Sequence, residues 1–347
     1  MGHVIQKVKC VAARAALLTG NKMANPKKNE ARLRLIKDRQ WRDKWGKDYI
    51  PAIHANPREA PSISEFTILT SAKLGGRGVH TLSKSETWLA IFALFNSSLW
   101  ELQEQRILYP TPRVHFLHGH PRARGQKFLP FKGTLDVAER MGTLDQHPVC
   151  KIRVERDGCV RLIDAAFPYV GDLLLFLEDR SGAYVVNWNI KDRVDSFSLS
   201  RPRKGKPQTP NNQGAKNRNA LESIYYQDGG IPTREISGSQ LDFELRCNLK
   251  ELFGAHLHQI KIPSELQPDI EFAFLSAVGT RLPADKLCKE LALKHRLGTE
   301  DLAHFLKQCI WSRKVRVDLF NRFLMDKPLK PEVQDPLEVY SDWFSRI

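Results

Sequence analysis

An acid, an amide and a lysine near the middle of the chain have the side-chain types and spacing for chemistry on a phosphodiester. Asp172 precedes an apolar run, and Asn189 and Lys191 close the next β-rich run. Because side chains alternate across a strand, Asn189 and Lys191 would share one face while Ile190 points the other way. The acid and the lysine could therefore converge at one sheet edge, as in a metal-dependent phosphodiesterase. An ordinary core hairpin that ends in a lysine fits the same residues.

These side chains need two strands and a tight turn to position them. Residues 173–177 are a continuous apolar run, and residues 183–190 are rich in β-branched and aromatic side chains, so both segments predict strands. The intervening residues 179–182 have the composition of a turn. We therefore expect a β-hairpin with Asp172 at the start of one strand and Lys191 at the end of the other.

A second carboxylate, Glu86, lies upstream on a predicted helix. Ser83 or Ser85 is a suitable N-cap, and the apolar run that follows predicts a helix to about Ser97. Glu86 falls in the first turn, where a carboxylate stabilises the helix dipole and needs no further role. Its helix face also carries Ala90 and other small residues, which would let the helix lie close to a sheet and bring Glu86 to the sheet edge.

Composition limits the class of protein. The 347 residues have 41% hydrophobic content and a formal charge of +15. This length suits two domains, and the charge favours a polyanionic partner, most simply nucleic acid, although ribosome-associated and membrane-surface proteins share it. The six cysteines form no CxxC pair, which argues against a zinc ribbon and a disulfide scaffold. Since no apolar run is long enough to cross a bilayer, we expect a cytoplasmic protein with no membrane partner.

The sequence divides into three expected regions. Residues 1–62 form a basic N-terminal extension with helical spacing, which suits either an arm that contacts DNA or a partner, or a solvated helix packed on the main domain. Residues 63–261 would form an α/β domain, with basic insertions near residues 110–149 and 193–219. Residues 262–347 predict helices followed by two short strands within residues 315–329, a winged-helix pattern that could dock on DNA or on protein.

The first insertion is irregular, and three histidines lie close together in its sequence. His115, His118 and His120, with Cys150 and Cys159 further along, invite a zinc interpretation, but their spacing fits no standard ligand pattern. A phosphate-contacting loop is a better interpretation, and an insertion with no special role is the simplest one.

The second insertion follows Lys191 and is rich in Pro, Gly, Ser and Asn. Beyond Asp195 it contains no acid, so we interpret it as a loop that a phosphate backbone orders, with a merely solvated loop as the alternative. A helix over residues 220–227 would follow it. The predicted DNA-binding residues are Arg201, Arg203, Lys204, Lys206, Lys216 and Arg218.

Glu86 on a helix, Asp172 on a strand and Asn189-x-Lys191 on the next strand resemble the pattern of the PD-(D/E)xK nucleases. Other segments resemble TnsA, the endonuclease subunit of heteromeric transposases. SETWLAIFALF followed by ELQEQRILYP is similar to its helix and EQP segment, and VGDLLLF with VVNWNIK is similar to its D-F-L-V and Q-V-K hairpin. ALESIYYQDGGIPTREISGSQLDFELRCNLKELF is similar to its segment from E-x-x-Y to N-L. The resemblance covers roughly residues 78–330, with gaps.

The resemblance implies a fold and a set of catalytic residues. The fold is α/β, with a restriction-endonuclease-like mixed sheet flanked by helices and a small winged-helix-type domain after it. Glu86, Asp172 and Asn189 would hold Mg²⁺ or Mn²⁺, which suits their oxygen ligands, and Lys191 would be the catalytic lysine. The metal would polarise the scissile phosphate and activate a water. Asn189 departs from the glutamine or glutamate of the family, and its shorter amide still offers a carbonyl oxygen.

The resemblance also implies a function and partners. The protein would be a Mg²⁺-dependent endodeoxyribonuclease that cleaves the 5′ ends of a transposon during cut-and-paste transposition, in a bacterial, nucleoid-associated setting. Its partners would be the double-stranded DNA of the transposon ends, a TnsB-like DDE recombinase, and a TnsC-like AAA+ ATPase that docks on the C-terminal domain. Two alternatives remain: a stand-alone PD-(D/E)xK repair or restriction nuclease, and a non-catalytic DNA-binding regulator with a decayed nuclease fold.

Overall fold

The computed structural model describes residues 26–62, 64–156, 158–197 and 213–347. Helices and strands alternate along the first two thirds of this part of the chain, and helices dominate the last third. No helix within these ranges is both long enough and apolar enough to cross a membrane. The helices are α1 (Pro26–Gln40), α2 (Lys84–Phe95), α3 (Thr134–Arg140), α4 (Gln213–Asp228), α5 (Phe243–Ala255), α6 (Gln267–Ala277), α7 (Ala284–His295), α8 (Thr299–Trp311), α9 (Pro336–Val339) and α10 (Ser341–Phe344). The strands are β1 (Thr67–Thr70), β2 (Gly78–Thr81), β3 (Leu99–Glu104), β4 (Ile107–Leu108), β5 (Val149–Arg156), β6 (Cys159–Ala166), β7 (Tyr169–Val170), β8 (Leu173–Asp179), β9 (Gly182–Lys191) and β10 (Thr233–Ser237).

A mixed four-stranded sheet lies at the centre, with the strand order β10-β9-β8-β3. β8 is antiparallel to both β3 and β9, whereas β10 is parallel to β9. A parallel pair needs a long crossover, and α4 lies in the chain between β9 and β10. The predicted hairpin is confirmed: its last pair is Asp179 with Gly182, and the φ of Gly182 is +102°, which a tight turn tolerates best in glycine.

Both faces of the sheet are buried. Because successive side chains of a strand point to opposite faces, Leu173 and Leu175 join a core with α2, α5 and the C-terminal helices. Leu174 and Phe176 join a second core with α4 and the first insertion. Two cores on one sheet explain why residues 173–177 are apolar without interruption rather than alternating.

The N-terminal helix and the first insertion close the second core. On α1, Leu33 and Ile36 are buried, so the helix of the extension packs on the main domain. In the insertion, Phe131 stacks on Tyr225 of α4 with ring centroids 4.9 Å apart. The insertion also contains α3, so it is less irregular than its composition predicts.

Two of the three clustered histidines of the insertion, His115 and His120, pack against aromatic rings, whereas His118 is exposed. His115 stacks on Phe128 at 4.4 Å, and burial lowers its pKa to about 4. His120 stacks on Trp100 at 4.8 Å. In the ranges that the structure describes, no group of three or more His, Cys, Asp or Glu side chains could hold a metal ion. The zinc interpretation therefore has no geometric support there.

The C-terminal region has the three predicted helices, α6 to α8, but not the two predicted strands. Within residues 315–329 the structure assigns no strand, and the backbone makes isolated bridges instead, such as Val317 with Pro331 and Pro283 with Pro328. Proline has no N–H to donate, so a ladder cannot continue through these positions. The winged-helix interpretation is not confirmed by these elements.

The chain end returns to the sheet. The indole Nε1 of Trp188 on β9 donates to the carbonyl of Trp343 at 2.7 Å, and Phe344 packs against Phe92 of α2 at 5.4 Å. The core that contains β8 and β9 also contains Phe274 of α6 and continues into the C-terminal helices. The domain boundary between residues 261 and 262 therefore stays a prediction.

Candidate functional site

The hairpin brings Asp172 and Lys191 together at one edge of the sheet. Leu173 pairs with Trp188, so Asp172 lies just beyond the paired part of β8. Its Oδ2 accepts the backbone N–H of Ile190 at 2.7 Å and lies 3.6 Å from the Lys191 Nζ. The convergence expected from strand alternation is thus present in the structure.

Lys191 is held by a set of oxygen atoms. Its Nζ donates to Asn189 Oδ1 at 2.5 Å and to the Ile190 carbonyl at 2.9 Å, in addition to its ion pair with Asp172. A cationic ammonium therefore lies among a carboxylate, an amide and a backbone oxygen. Oxygen ligands of these types are the ones that Mg²⁺ and Mn²⁺ prefer.

A second asparagine orients Asn189. The Nδ2 of Asn189 donates to Asn219 Oδ1 on α4 at 3.2 Å, and Asn219 Nδ2 donates to the Phe197 carbonyl at 3.0 Å. With its amide nitrogen engaged in this way, Asn189 directs its Oδ1 to Lys191. Both asparagines are buried. The sequence analysis assigned no role to Asn219, because its partner is 30 residues away in the chain.

Glu86 is fixed by the start of α2. Ser83 is the N-cap of α2, and its hydroxyl accepts the Glu86 N–H. The carboxylate of Glu86 accepts the Leu82 N–H at 2.9 Å and the Ser83 hydroxyl at 3.2 Å. These bonds give Glu86 a helix-capping role. They also fix the direction of its carboxylate.

The electrostatic setting of Glu86 exceeds what capping requires. Burial, and after it the negative charge of Asp172, raise the pKa of Glu86 to about 8, although the hydrogen bonds from Leu82 and Ser83 and the positive charge of Lys191 act in the opposite direction. Two carboxylates that repel each other in a buried place are typical of sites that take a cation.

Gln105 links the two acids. Its side-chain Nε2 donates to Glu86 Oε2 at 3.2 Å, and its backbone N–H donates to the Asp172 carbonyl at 3.0 Å. The φ of Gln105 is +51°, a left-handed conformation that is uncommon outside glycine. Strain of this kind occurs most often at functional sites. The sequence analysis noticed the EQ pair on a strand but gave Gln105 no role.

A third acid, Glu222 on α4, belongs to the same electrostatic cluster. It is buried, and Asn187 Nδ2 donates to its Oε1 at 2.9 Å. Burial, followed by the charge of Asp172, raises the pKa of Glu222 to about 7. A Cβ atom at Gly171 would lie 3.3 Å from Glu222 Oε1, so this acid lies against the backbone next to Asp172. The glutamate of ALESIYY was the available sequence signal, and the sequence analysis did not use it for the site.

The predicted DNA-binding residues divide into two groups. Arg201, Arg203, Lys204 and Lys206 lie outside the described residues. Lys216 and Arg218 are not in a loop, as predicted, but in the first turns of α4, which begins at Gln213. Anchoring bonds extend this helix toward its N-terminus, because Arg218 donates to the Val170 carbonyl at 2.9 Å and Asn219 to that of Phe197. Arg218 therefore lies beside β7, whose last residue, Val170, is two positions before Asp172.

The fit of a divalent cation rests on the oxygen set around Lys191. Asp172, Asn189 and the Ile190 carbonyl already surround one cation, the ammonium. Glu86 is held separately by Leu82, Ser83 and Gln105, and it interacts with Asp172 through its charge. Oxygen donors of these kinds are the ones that Mg²⁺ and Mn²⁺ bind, but among the described residues no group of three or more His, Cys, Asp or Glu side chains is placed to hold a metal ion.

A scan against protein-family models gives no match to the sequence, and a search of curated proteins gives none either. The site consists of a lysine whose ammonium contacts a carboxylate, an amide oxygen and a backbone oxygen, together with two buried carboxylates, Glu86 and Glu222, whose pKa values are raised.

Proposed function

We propose that this protein is a metal-dependent DNA endonuclease with Glu86, Asp172, Asn189 and Lys191 as its catalytic residues. The observation that carries the proposal is the position of the Lys191 ammonium, between the carboxylate of Asp172 and the amide oxygen of Asn189 at the sheet edge. The buried carboxylate of Glu86, which accepts a hydrogen bond from Gln105, interacts with Asp172 and Lys191 through its charge and supports the proposal. The charge of +15 supports a polyanionic substrate.

Mg²⁺ or Mn²⁺ is the proposed cofactor. Glu86, Asp172 and Asn189 would hold it, and its charge would polarise the scissile phosphate and activate a water. The positive charge of the metal would also favour the ionised forms of Glu86 and Glu222. Their pKa values are otherwise raised by burial and by the charge of Asp172.

Lys191 contributes a movable positive charge. Its long side chain places Nζ within hydrogen-bond distance of Asn189 and the Ile190 carbonyl, and it is only partly exposed. In the substrate complex the ammonium would leave these oxygens for a phosphate oxygen or for the attacking water. There it would offset the negative charge that builds on phosphorus in the transition state.

The order of elements supports a restriction-endonuclease-like fold. Helix α2 is followed by the antiparallel strands β3, β8 and β9, then by α4, and then by β10 parallel to β9. The proposed catalytic residues occur on α2 and at the open end of the β8–β9 hairpin, where β8 begins and β9 ends. In this proposal the helices α6 to α8 correspond to a winged-helix-type domain that has lost its wing strands.

The TnsA-like role follows from the resemblance in the sequence. The protein would cleave the 5′ ends of a transposon, while a TnsB-like recombinase processes the 3′ ends and a TnsC-like AAA+ ATPase docks on the C-terminal region. A location at the bacterial nucleoid belongs to the same proposal. A non-catalytic DNA-binding protein is the second candidate, favoured by Asn189, which gives the site an uncharged ligand where an acid could stand.

Metal binding tests the proposal without any partner protein. Mg²⁺ or Mn²⁺ should raise the melting temperature of the wild type, because a ligand that binds only the folded state stabilises it. Asp172→Ala should abolish this shift, while Asp285→Ala, which removes the partner of Lys289 on α7, should keep it. Equal shifts in all three proteins would contradict the assigned metal site.

Cleavage of supercoiled plasmid separates the nuclease alternatives. A TnsA-like subunit should cut poorly when it is alone with Mg²⁺, since its substrate is presented by the recombinase. Robust cutting by the protein alone, lost in Lys191→Ala, would instead identify a stand-alone nuclease.

A further inference from the structure

A cavity of 540 Å³ opens beside the proposed catalytic residues. This volume lies in the range of about 300–1,000 Å³ that is typical of small-ligand sites. The start of α2 forms one wall, and the turn before α5 with the first turn of α5 forms the other. The residues around it include Ser83, Ser85, Trp88, Asp192, Ser239 and Arg246.

The cavity and the catalytic site share a wall. Ser83 lines the cavity and also holds the carboxylate of Glu86. Asp192 lines the cavity, follows Lys191 in the chain, and accepts the Ser85 hydroxyl at 2.7 Å. A ligand in the cavity would therefore lie close to Glu86 and to Lys191.

Arg246 and Trp88 line the cavity, and the ring of Phe243 extends this surface on the far side of Arg246, outside the lining residues. The Arg246 guanidinium lies 4.4 Å from the ring centroid of Trp88 and 5.6 Å from that of Phe243. Phe243 is 64% exposed. Among the described residues the Nε of Arg246 is buried and has no hydrogen-bond partner, and the Nη1 of Arg246 donates to the Gly238 carbonyl at 3.5 Å. A planar cation thus borders the cavity.

The two carboxylates of the cavity are already engaged. Glu65 pairs with Lys84 at 2.8 Å, and Asp192 accepts the Ser85 hydroxyl. Their charges are therefore partly balanced, so Arg246 remains as the group best suited to an incoming polar, planar and anionic ligand.

The walls are fixed by close packing. A Cβ atom at Gly238 would lie 2.2 Å from Ser85 Oγ, so only glycine lets this turn approach α2 so closely. A capping box between Ser237 and Gln240 holds the same turn. The cavity is therefore preformed, which lowers the entropic cost of binding.

We propose that the cavity holds one unpaired nucleotide of a DNA strand, next to the phosphate that is cut. This inference rests on the proposed nuclease function and specifies how the strand is held. The base would stack on the surface formed by Arg246 and Phe243, since aromatic rings and arginine are the side chains that hold single-stranded nucleotides. A base inside a duplex is not accessible for such stacking, so the strand would be locally unpaired beside the cut.

The test uses a thymidine oligonucleotide with one 2-aminopurine, whose fluorescence falls on stacking, titrated with the full-length protein in the absence of divalent cations. The wild type should quench the fluorescence. Phe243→Ala and Arg246→Ala should each weaken binding about tenfold, the size expected for one lost stacking contact. Phe272→Ala is the matched control, because this phenylalanine is 72% exposed but lies on α6 rather than beside Arg246 on α5.

Unchanged quenching and affinity in both Phe243→Ala and Arg246→Ala would overturn the proposal, as would an equal loss in Phe272→Ala. Lys191→Ala separates this test from that of the catalytic site: it should retain the quenching and lose Mg²⁺-dependent cleavage. If the wild type quenches in a Phe243-dependent manner but never cleaves DNA, the cavity assignment stands and the nuclease proposal fails.

Discussion

The amino group of Lys191 meets three kinds of oxygen, from Asp172, Asn189 and the Ile190 backbone. In the proposed nuclease site, this contact would let an asparagine serve where the TnsA family, which the sequence resembles, has a longer side chain. Its amide nitrogen is tied to Asn219, so the carbonyl oxygen has one direction. Asn189 offers its oxygen to the site, and Asn219 sets the direction of that oxygen, so the proposed site needs both asparagines.

Asn219→Ala should therefore weaken the site without unfolding the protein. Loss of a hydrogen bond that orients a metal ligand typically costs 10–100-fold in metal affinity, and we expect that increase in the Mg²⁺ concentration for half-maximal cleavage. Asn217→Ala, on the same helix but bonded to Gln146, is the control. An unchanged Mg²⁺ requirement in Asn219→Ala would show that Asn189 needs no support.

Glu86 gives the protein a characteristic pH dependence. Its pKa is raised to about 8 in the folded state by burial and by Asp172, from an ordinary value of 4.5. Between these two pH values the folded protein keeps a proton that the unfolded chain has lost. This carboxyl therefore makes the free energy of unfolding fall as the pH rises through this window in the absence of metal. Its effect dominates above about pH 7, where the buried histidines with lowered pKa values, His80, His115 and His147, are largely neutral in both the folded and the unfolded chain.

Glu86→Gln should flatten that slope, because an amide does not titrate. Urea denaturation at pH 7.0, 7.5 and 8.0 in EDTA measures it, above the pH range in which the buried histidines titrate. Part of the slope should remain in Glu86→Gln, since burial and Asp172 also raise the pKa of Glu222 to about 7. The double variant Glu86→Gln, Glu222→Gln should lose most of the slope. A wild type whose stability rises with pH over this range would contradict the assignment.

The elements show which parts of the molecule are encoded locally. The β8–β9 hairpin and α2 follow the predictions, because continuous apolar runs, a turn sequence and the Ser83 cap are signals within a few residues. The start of α4 does not, since the Gly and Asn residues after Gln213 are poor helix formers and the helix is anchored there by distant carbonyls. Gln105, Asn219 and Glu222 join the site through contacts between distant segments, which a single sequence does not reveal.

Gly133 provides a test at the level of an element. It precedes α3 with a φ of +93°, and an added Cβ would lie 2.6 Å from the Pro110 carbonyl oxygen. Gly133→Ala should therefore combine backbone strain with a steric clash and destabilise the protein by about 2–4 kcal/mol. Gly142→Ala, with a φ of +66° and open space around the Cβ, should cost only about 1–2 kcal/mol. Equal unfolding midpoints in urea for the two variants would contradict this account of the turn.

The described part of the chain is organised around the four-stranded sheet. The apolar core on one face of this sheet continues into the C-terminal helices. The C-terminal helices share that core with β8 and β9, and the last helix packs on α2 and β9 through Phe344. The sequence suggested a separable C-terminal domain because the composition changes near residue 263. Composition does not show whether the two parts bury their apolar faces against each other.

Phe344→Ala tests this continuity. Removing a buried phenylalanine typically costs about 3–5 kcal/mol, and Phe344 is 6% exposed. If the core is continuous, the variant should unfold in one transition, at a lower urea concentration than the wild type, with the same midpoint by tryptophan fluorescence and by far-UV circular dichroism. Two separated transitions, with only one of them shifted, would show that the C-terminal region folds on its own.

The catalytic assignment is tested most directly by 5′-end cleavage in a reaction reconstituted with a TnsB-like recombinase, a TnsC-like ATPase, transposon-end DNA and Mg²⁺. With the wild type, both strands should be cut at each end: the 5′ ends by this protein and the 3′ ends by the recombinase. Asp172→Ala and Lys191→Ala should each lower 5′ cleavage by about 10²–10³-fold while the recombinase still cuts the 3′ ends. Undiminished 5′ cleavage in both variants would contradict the account.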